Sequence, residues 1–319
     1  MRQPLQPSVL RLAFRPRCVR IQLMKRSFYC LCMSPALDAL VRIPSAPRGE
    51  GEVFKNVVDE ENAGGKAINV ARWLAIRGAN VLCGGLLGEE NAAPFERELG
   101  HFGIADRFVR VPGQTRRNEM VTWPGGAFKI NRAAFPNVSP EDIPDLGALC
   151  GVDELTEGDT VILSGSLPQD FPPSFYADCV RFLKAKGLSV VLDTSGRALE
   201  LGVKAHPDLV KPNAEECGPL VGFVPRTPDE FRRATEILRA DCAHAVISDG
   251  RSGAWFDGVF QAAPRVVVVD TTAAGDTLLA EWCFSHDPKL AVAAGSGACT
   301  MPGSRAPSVE TVERLSGTL

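Results

Sequence analysis

Apolar runs that close on a small or acidic residue, each followed by a helical period, recur along this chain. Ser27-Phe28-Tyr29-Cys30-Leu31-Cys32-Met33 leads into Ser34-Pro35-Ala36-Leu37-Asp38, and Thr160–Leu163 leads into Ser164-Gly165-Ser166-Leu167-Pro168. Ser189–Leu192 ends in Asp193-Thr194-Ser195-Gly196, and Leu209-Val210 enters Lys211-Pro212-Asn213. Such uninterrupted runs suit strands buried on both faces. Strands that alternate with helices come out parallel, joined by right-handed crossovers. The pattern predicts an α/β fold with a doubly wound, mostly parallel sheet flanked by helices. In sheets of this kind ligands gather beyond the carboxyl ends of the strands, where each of these loops falls. A chain of 319 residues holds one such domain, with or without a small appendage.

The appendage has its own signature. Segments 39–43 and 52–58 alternate like exposed strands between Pro- and Gly-containing turns, and 119–123 with 127–131 form a hairpin about Pro124-Gly125-Gly126. Together they predict a small side sheet drawn from about 37–58 and 117–131. Helices are expected over 139–149, 173–186 and 227–239. Residues 1–26 carry Arg2, Arg11, Arg15, Arg17, Arg20, Lys25 and Arg26 before the first acid, Asp38. Pro4, Pro7 and Pro16 oppose an amphipathic targeting helix, so this basic leader is read as disordered or over-annotated ahead of a domain at 27–319.

The stretch with most chemistry is Val266-Val267-Val268-Val269-Asp270-Thr271-Thr272-Ala273-Ala274-Gly275-Asp276. It reads as a buried strand, a small-residue turn and a helix with an acid in its first turn. Backbone N–H groups converging at a helix start bind anions, and a carboxylate beside them can take a proton from a hydroxyl. A helix-capping role for Asp276 accounts for the stretch equally well when it is taken alone.

Upstream, Gly64-Gly65 opens a helix at Lys66-Ala67-Ile68-Asn69. Lys66 and Asn69, three apart, share a face, and a lysine at a helix N-terminus points to an anion nearby. Asp38 sits where a substrate hydroxyl would be held, or simply in a turn. Arg116 with Asn118 suits a phosphate or carboxylate, since the guanidinium offers a bidentate fork; a solvated arginine is the alternative.

Charge and composition narrow the partners. A net charge of −3 gives no reason to expect nucleic acid, and no apolar run is long enough to span a bilayer. The ten cysteines include no CxxC pair, which suits buried thiols in a reducing cytoplasm.

Five separated motifs, in order, resemble those of the ribokinase-like (phosphofructokinase-B type) carbohydrate kinases. They are Gly64-Gly65-Lys66-Ala67-Ile68-Asn69-Val70-Ala71, Ser164-Gly165-Ser166-Leu167-Pro168, Lys211-Pro212-Asn213 with Glu216, Ser248-x-Gly250-x-x-Gly253, and Asp270–Asp276. The resemblance covers about residue 27 to the C-terminus. It implies that Asp276 is the general base and that the N–H groups of Ala273, Ala274, Gly275 and Asp276 form an anion hole. It further implies that Lys211, Asn213, Ser248, Gly250 and Gly253 attend ATP, and that Glu216 bears on Mg²⁺ through water.

Lys66, Thr115-Arg116-x-Asn118 and Lys129-Ile130-Asn131 look like the phosphosugar branch, nearest to 1-phosphofructokinases and tagatose-6-phosphate kinases. There Asp38, Gly64, Gly65, Lys66, Asn69, Arg116, Asn118 and Asn131 would line the sugar phosphate. Fructose 1-phosphate, tagatose 6-phosphate and fructose 6-phosphate are the implied acceptors. The side sheet would be a lid, pairing in a homodimer.

The chain departs from the family pattern at Ala273 and Ala67, where glycine is usual, and at Asp249. It is also about a dozen residues short between Asp276 and Ala291. If position 273 needs positive φ, alanine strains the turn. A kinase of an unphosphorylated sugar or nucleoside, and a catalytically impaired sugar-phosphate binder, are the alternatives.

Overall fold

The computed structural model describes residues 26–319 apart from 56, 136 and 137; the rest of the basic leader lies outside the described residues. The first half contains β1 (Ser27–Cys32), β2 (Ala36–Arg42), β3 (Val58–Gly64), α1 (Lys66–Ile76), β4 (Asn80–Gly88), α2 (Ala93–His101), β5 (Ala105–Val111), β6 (Arg117–Trp123), β7 (Gly126–Ile130) and α3 (Leu146–Leu149). The second half begins with β8 (Thr160–Ser164), α4 (Phe175–Ala185), β9 (Ser189–Asp193), α5 (Gly196–Val203), β10 (Leu209–Val210), α6 (Ala214–Val221) and α7 (Pro228–Leu238). It closes with β11 (His244–Ser248), β12 (Gly253–Phe256), β13 (Val259–Ala262), α8 (Ala274–Ser285), α9 (Pro288–Ala298) and α10 (Val309–Ser316).

The main sheet runs β13-β12-β11-β10-β9-β8-β1-β4-β5, parallel from β11 to β5, with the β12–β13 hairpin antiparallel at one edge. β1 explains the three layers. Phe28, Cys30 and Cys32 join an apolar cluster with α1, α2, α8 and α9, while Tyr29, Leu31 and Met33 join a second with α4, α5 and α7. Period-two alternation sends consecutive apolar residues to opposite faces, so a continuous run needs cover on both.

The side sheet has the order β3-β2-β6-β7, with β2 and β6 parallel. Its hairpin falls where expected, but the strand expected over 52–58 begins only at Val58 and runs to Gly64, because its partner β2 is in register from Ala36↔Gly64 to Arg42↔Val58.

Two further expectations are corrected. The helix over 139–149 is two short pieces, a turn at Pro140–Asp142 and α3, each with its own Asp-based cap. The four valines form no buried strand. Val267, Val268 and Val269 are 85%, 59% and 58% exposed, and only Val266 packs against the core. The backbone N–H groups of Val269 and Asp270 donate instead to the Cys299 carbonyl, at 2.8 and 3.2 Å. β-branched content favours an extended chain but supplies no partner strand, and β13 already ends the sheet.

Candidate active site

The carboxyl ends of the central strands and the inner face of the side sheet enclose a cavity of about 450 Å³. Asp276 is 6% exposed in the first turn of α8, and its Oδ2 accepts from Asn69 Nδ2 at 2.8 Å. Burial, with the nearby charge of Asp193, pushes its carboxyl up to about 6, against the pull of Lys66, Asn69 and Lys211. A carboxylate so placed is ionised at neutral pH yet is a better proton acceptor than one in water.

Beside it, fully buried Asp193 at the end of β9 gathers two ammonium groups. Lys211 Nζ is 3.2 Å and Lys66 Nζ 3.5 Å from its Oδ1, while Ser164 Oγ donates to Oδ2 at 3.0 Å. Burial raises the Asp193 carboxyl, but Lys211 and then Lys66 outweigh it and hold it below the ordinary carboxylate range. Lys66 is raised in turn, chiefly by Asp193. The Lys211 ammonium lies over Gly275, where an added Cβ would come within 3.4 Å of it. Two positive charges thus stand over the N-terminus of a twelve-residue helix, a favourable place for a phosphoryl group. The Ala274 N–H is already drawn to the Thr271 carbonyl at 3.3 Å, so Gly275 and Asp276 are the stronger donors of the expected hole.

The turn that makes this site carries strain at Ala273, which caps α8 with φ 62° and ψ 1°. An L-residue in this left-handed region costs about 1–2 kcal/mol, while the extra freedom of unfolded glycine offsets part of that. Ala273→Gly is therefore expected to stabilise the fold by about 0.5–1 kcal/mol without loss of turnover. Thermal melts check this, and a fall in Tm would contradict it.

At the other end, Asp38 Oδ1 accepts from Asn118 Nδ2 at 3.1 Å, and burial raises its carboxyl against that bond and the Arg116 charge. Gly64 lets the Asp38 carboxylate lie against the backbone, since a Cβ would fall 2.1 Å from its Oδ2 and push it aside. Arg116 is held by three carbonyls, those of Pro35, Arg132 and Ser34, at 3.3, 3.0 and 3.2 Å. This fixes a cationic wall next to Gly65, Asn118 and Asn131, all of which line the cavity. Lys129 reaches from β7 to Thr272 Oγ1 at 3.0 Å, so the side sheet touches the α8 turn.

The expected nucleotide residues divide. Lys211, Asn213, Glu216 and Ser248 line the cavity, whereas Gly250 and Gly253 lie outside it. Gly253 has a local cause, since a Cβ would meet the Gln261 carbonyl at 2.1 Å across the hairpin. Asn213 and Glu216 form a reciprocal capping box at the start of α6, each bond 2.9 Å. Among the described residues no group of three or more His, Cys, Asp or Glu side chains could hold a metal directly. Glu216 brings a single carboxylate to the cavity, a donor set that suits Mg²⁺, which keeps most of its waters and takes its other ligands from phosphates.

Sequence reasoning passed over Asp193 and the role of Lys129. The signal for the first was present, an acid at the carboxyl end of an apolar strand.

Residues 36–281 match the family model described as pfkB family carbohydrate kinase. The chain is 36% identical over 236 residues to 1-phosphofructokinase of Haemophilus influenzae, covering 71% of this chain and 74% of that one. It is 32% identical over 303 residues to 1-phosphofructokinase of Rhodobacter capsulatus, covering 90% and 95%. Among solved structures, phosphofructokinase-2 of Escherichia coli in complex with fructose-6-phosphate superposes with a TM-score of 0.81 at 23% identity, covering 93% and 99%.

Proposed function

Because this chain belongs to the pfkB family of carbohydrate kinases, we propose that it transfers the γ-phosphoryl group of ATP to a hydroxyl of a ketohexose monophosphate, with Asp276 as base. Fructose 1-phosphate is the favoured acceptor, after the names of its relatives, ahead of tagatose 6-phosphate and fructose 6-phosphate. The observation that carries this reading is a single cavity with three parts. It holds a buried carboxylate at a helix N-terminus, two lysines gathered by Asp193, and a fixed arginine beside Asp38.

The acceptor hydroxyl gives its proton to Asp276 as its oxygen bonds to the γ-phosphorus and the bond to the ADP oxygen breaks. In a loose transition state that proton leaves late, so a carboxylate suffices as base. Lys66, Lys211 and the N–H groups of Gly275 and Asp276 take up the charge on the transferred group. Mg²⁺, when bound, neutralises phosphate charge; Asn213 and Glu216 are the residues that would hold it through water. Ser248 lies along the nucleotide, Asn69 and Asn131 near the sugar.

The side sheet acts as a lid, and Lys129 brings it against the α8 turn, which would exclude water during transfer. Phe128 and Ile130 on its outermost strand are 44% and 41% exposed and suit lid-to-lid pairing in a homodimer. No helix among the described residues is long and apolar enough to cross a membrane. Free cysteines, eight of the nine described ones buried, agree with a cytoplasmic setting.

An unphosphorylated acceptor would bring no anion to Arg116, whose partners within the protein are the three carbonyls. Coupled ADP-release assays over fructose 1-phosphate, fructose 6-phosphate, tagatose 6-phosphate, fructose and ribose test the reading. Arg116→Ala is expected to lower kcat/KM for the phosphorylated sugars by about 10- to 100-fold, as for a charged hydrogen-bonding partner, and to spare neutral sugars. Equal losses for both kinds would remove the phosphate-clamp role.

A further inference from the structure

Arg72 lies two turns into α1, is 3% exposed, and is far more elaborately held than a surface cation. Its Nη1 donates to Asn69 Oδ1 at 3.1 Å and to the Ser304 carbonyl at 2.7 Å. Nη2 donates to the Ala63 carbonyl at 2.8 Å, and Nε to Glu98 Oε1 at 2.6 Å. Each partner belongs to a different part of the molecule. Ala63 is near the end of lid strand β3, Ser304 sits in the loop before α10, Glu98 lies on α2, and Asn69 is the residue that donates to Asp276.

Asn69 is the link with chemical content. A side-chain amide has one acceptor end and one donor end, and a half-turn about its last bond exchanges them. With Oδ1 taken by the guanidinium, Nδ2 must face Asp276, and the carboxylate receives a donor at 2.8 Å. Without that anchor the amide has lost one of the two bonds that hold it, and its donor end is free to swing away from the carboxylate. Ser304 makes a second link. Its hydroxyl is buried, has no hydrogen-bond partner among the described residues and belongs to a residue that lines the cavity, and its backbone is fixed by the same guanidinium.

We propose that Arg72 is a positioning residue that sets the Asn69 amide toward Asp276 and ties the root of the lid to the catalytic helix. The inference rests on the reading of Asp276 as the base. A lysine cannot replace Arg72, since four bonds in one plane need the fork and not only the charge. Neighbouring charges on Asp276 are Asp193, Lys66 and Lys211, none of which Arg72 contacts in this arrangement.

Four variants test it with ATP, Mg²⁺ and the best acceptor: Arg72→Gln, Arg72→Lys, Asn69→Ala and the Arg72→Gln/Asn69→Ala pair. Arg72→Gln and Arg72→Lys are each expected to lower kcat about 100-fold, as for a displaced catalytic group, with little change in KM for ATP. The acidic limb of kcat should move to higher pH, because Asp276 loses the donor that holds its carboxyl down. The double variant should lose no more than the worse single one. Full activity in Arg72→Lys, an unmoved limb, or additive losses would overturn the proposal and leave the base assignment standing. Normal turnover in Asp276→Asn would instead remove the base assignment itself. Should the Arg72 variants fail to fold, Glu98→Gln removes only the ionic partner of Nε. It is expected to shift the limb the same way by less, and an unmoved limb there overturns the proposal.

Discussion

Asp276→Asn is expected to lower turnover by about 10²–10⁴-fold, the range of a lost general base, while ATP binding persists. Asparagine keeps the shape and can still accept from Asn69, so the geometry of the turn survives and only proton acceptance is lost. The wild-type protein should show an acidic limb in kcat near pH 6, since the proposed base must be ionised and the Asp276 carboxyl is pushed up to about 6.

Stability should run the other way. A carboxyl raised in the fold above its ordinary 3.8 adds stability that is complete below that value and lost as pH rises through about 6. At pH 7.5 the wild type therefore carries a buried charge at a cost, and Asp276→Asn should melt higher; below about pH 4 the two should converge. Kinetics and melts across this range check both halves. Unchanged turnover would remove Asp276 as base, and a lower Tm at neutral pH would contradict its burial as a cost.

Asp193→Asn is expected to have the next largest effect. The wild-type carboxylate holds Lys211 and Lys66 with one oxygen and Ser164 with the other. Removing one member of a buried charged set leaves the others uncompensated, a loss of about 3–5 kcal/mol when burial is complete and less here because Lys66 is partly exposed. Because the Asp193 carboxyl is held low in the fold, its contribution is present above the ordinary carboxylate range and lost as pH falls from that range through its lowered folded value. The variant should also move the acidic limb of kcat to lower pH, since a like charge beside Asp276 is gone. A purely structural role for Asp193 would lower Tm without moving that limb. The sign is opposite to that expected for Arg72→Gln, so the two variants separate charge from orientation.

Most of the scaffold was legible because burial on both faces leaves a plain mark. Ser27–Met33, Thr160–Leu163 and Ser189–Leu192 read as central strands and are central strands. The valine run misled for a physical reason. Val267–Val269 have strand propensity, but they pair with no strand of the sheet, which ends at β13, and a strand is defined by its partner. Side-sheet strand β3 was misplaced because Asp59, Glu60, Glu61 and Asn62 carry no apolar alternation, and only pairing with β2 places them.

At the site, Asp276, Lys66, Asn69 and Asp38 stood out by their local settings, and the cavity brings them together. What one residue's neighbours in sequence cannot reveal is its neighbours in space. Asn69, expected at the sugar, lines the cavity and also donates to Asp276, while Asp193 meets Lys66 and Arg72 meets the Ser304 carbonyl across long stretches of chain. Ala273 stood out only through the family resemblance, which has glycine at that turn, and the residue does take a positive φ, 62°.

The most direct test follows both phosphates at once, by ³¹P NMR of the protein with ATP, Mg²⁺ and fructose 1-phosphate. ADP and a sugar bisphosphate should rise together in equal amounts, with no inorganic phosphate beyond the background without enzyme, and Asp276→Asn should slow both by the same large factor. Binding of the sugar phosphate with neither ADP nor bisphosphate formed, from this or the two other ketohexose phosphates, would contradict it.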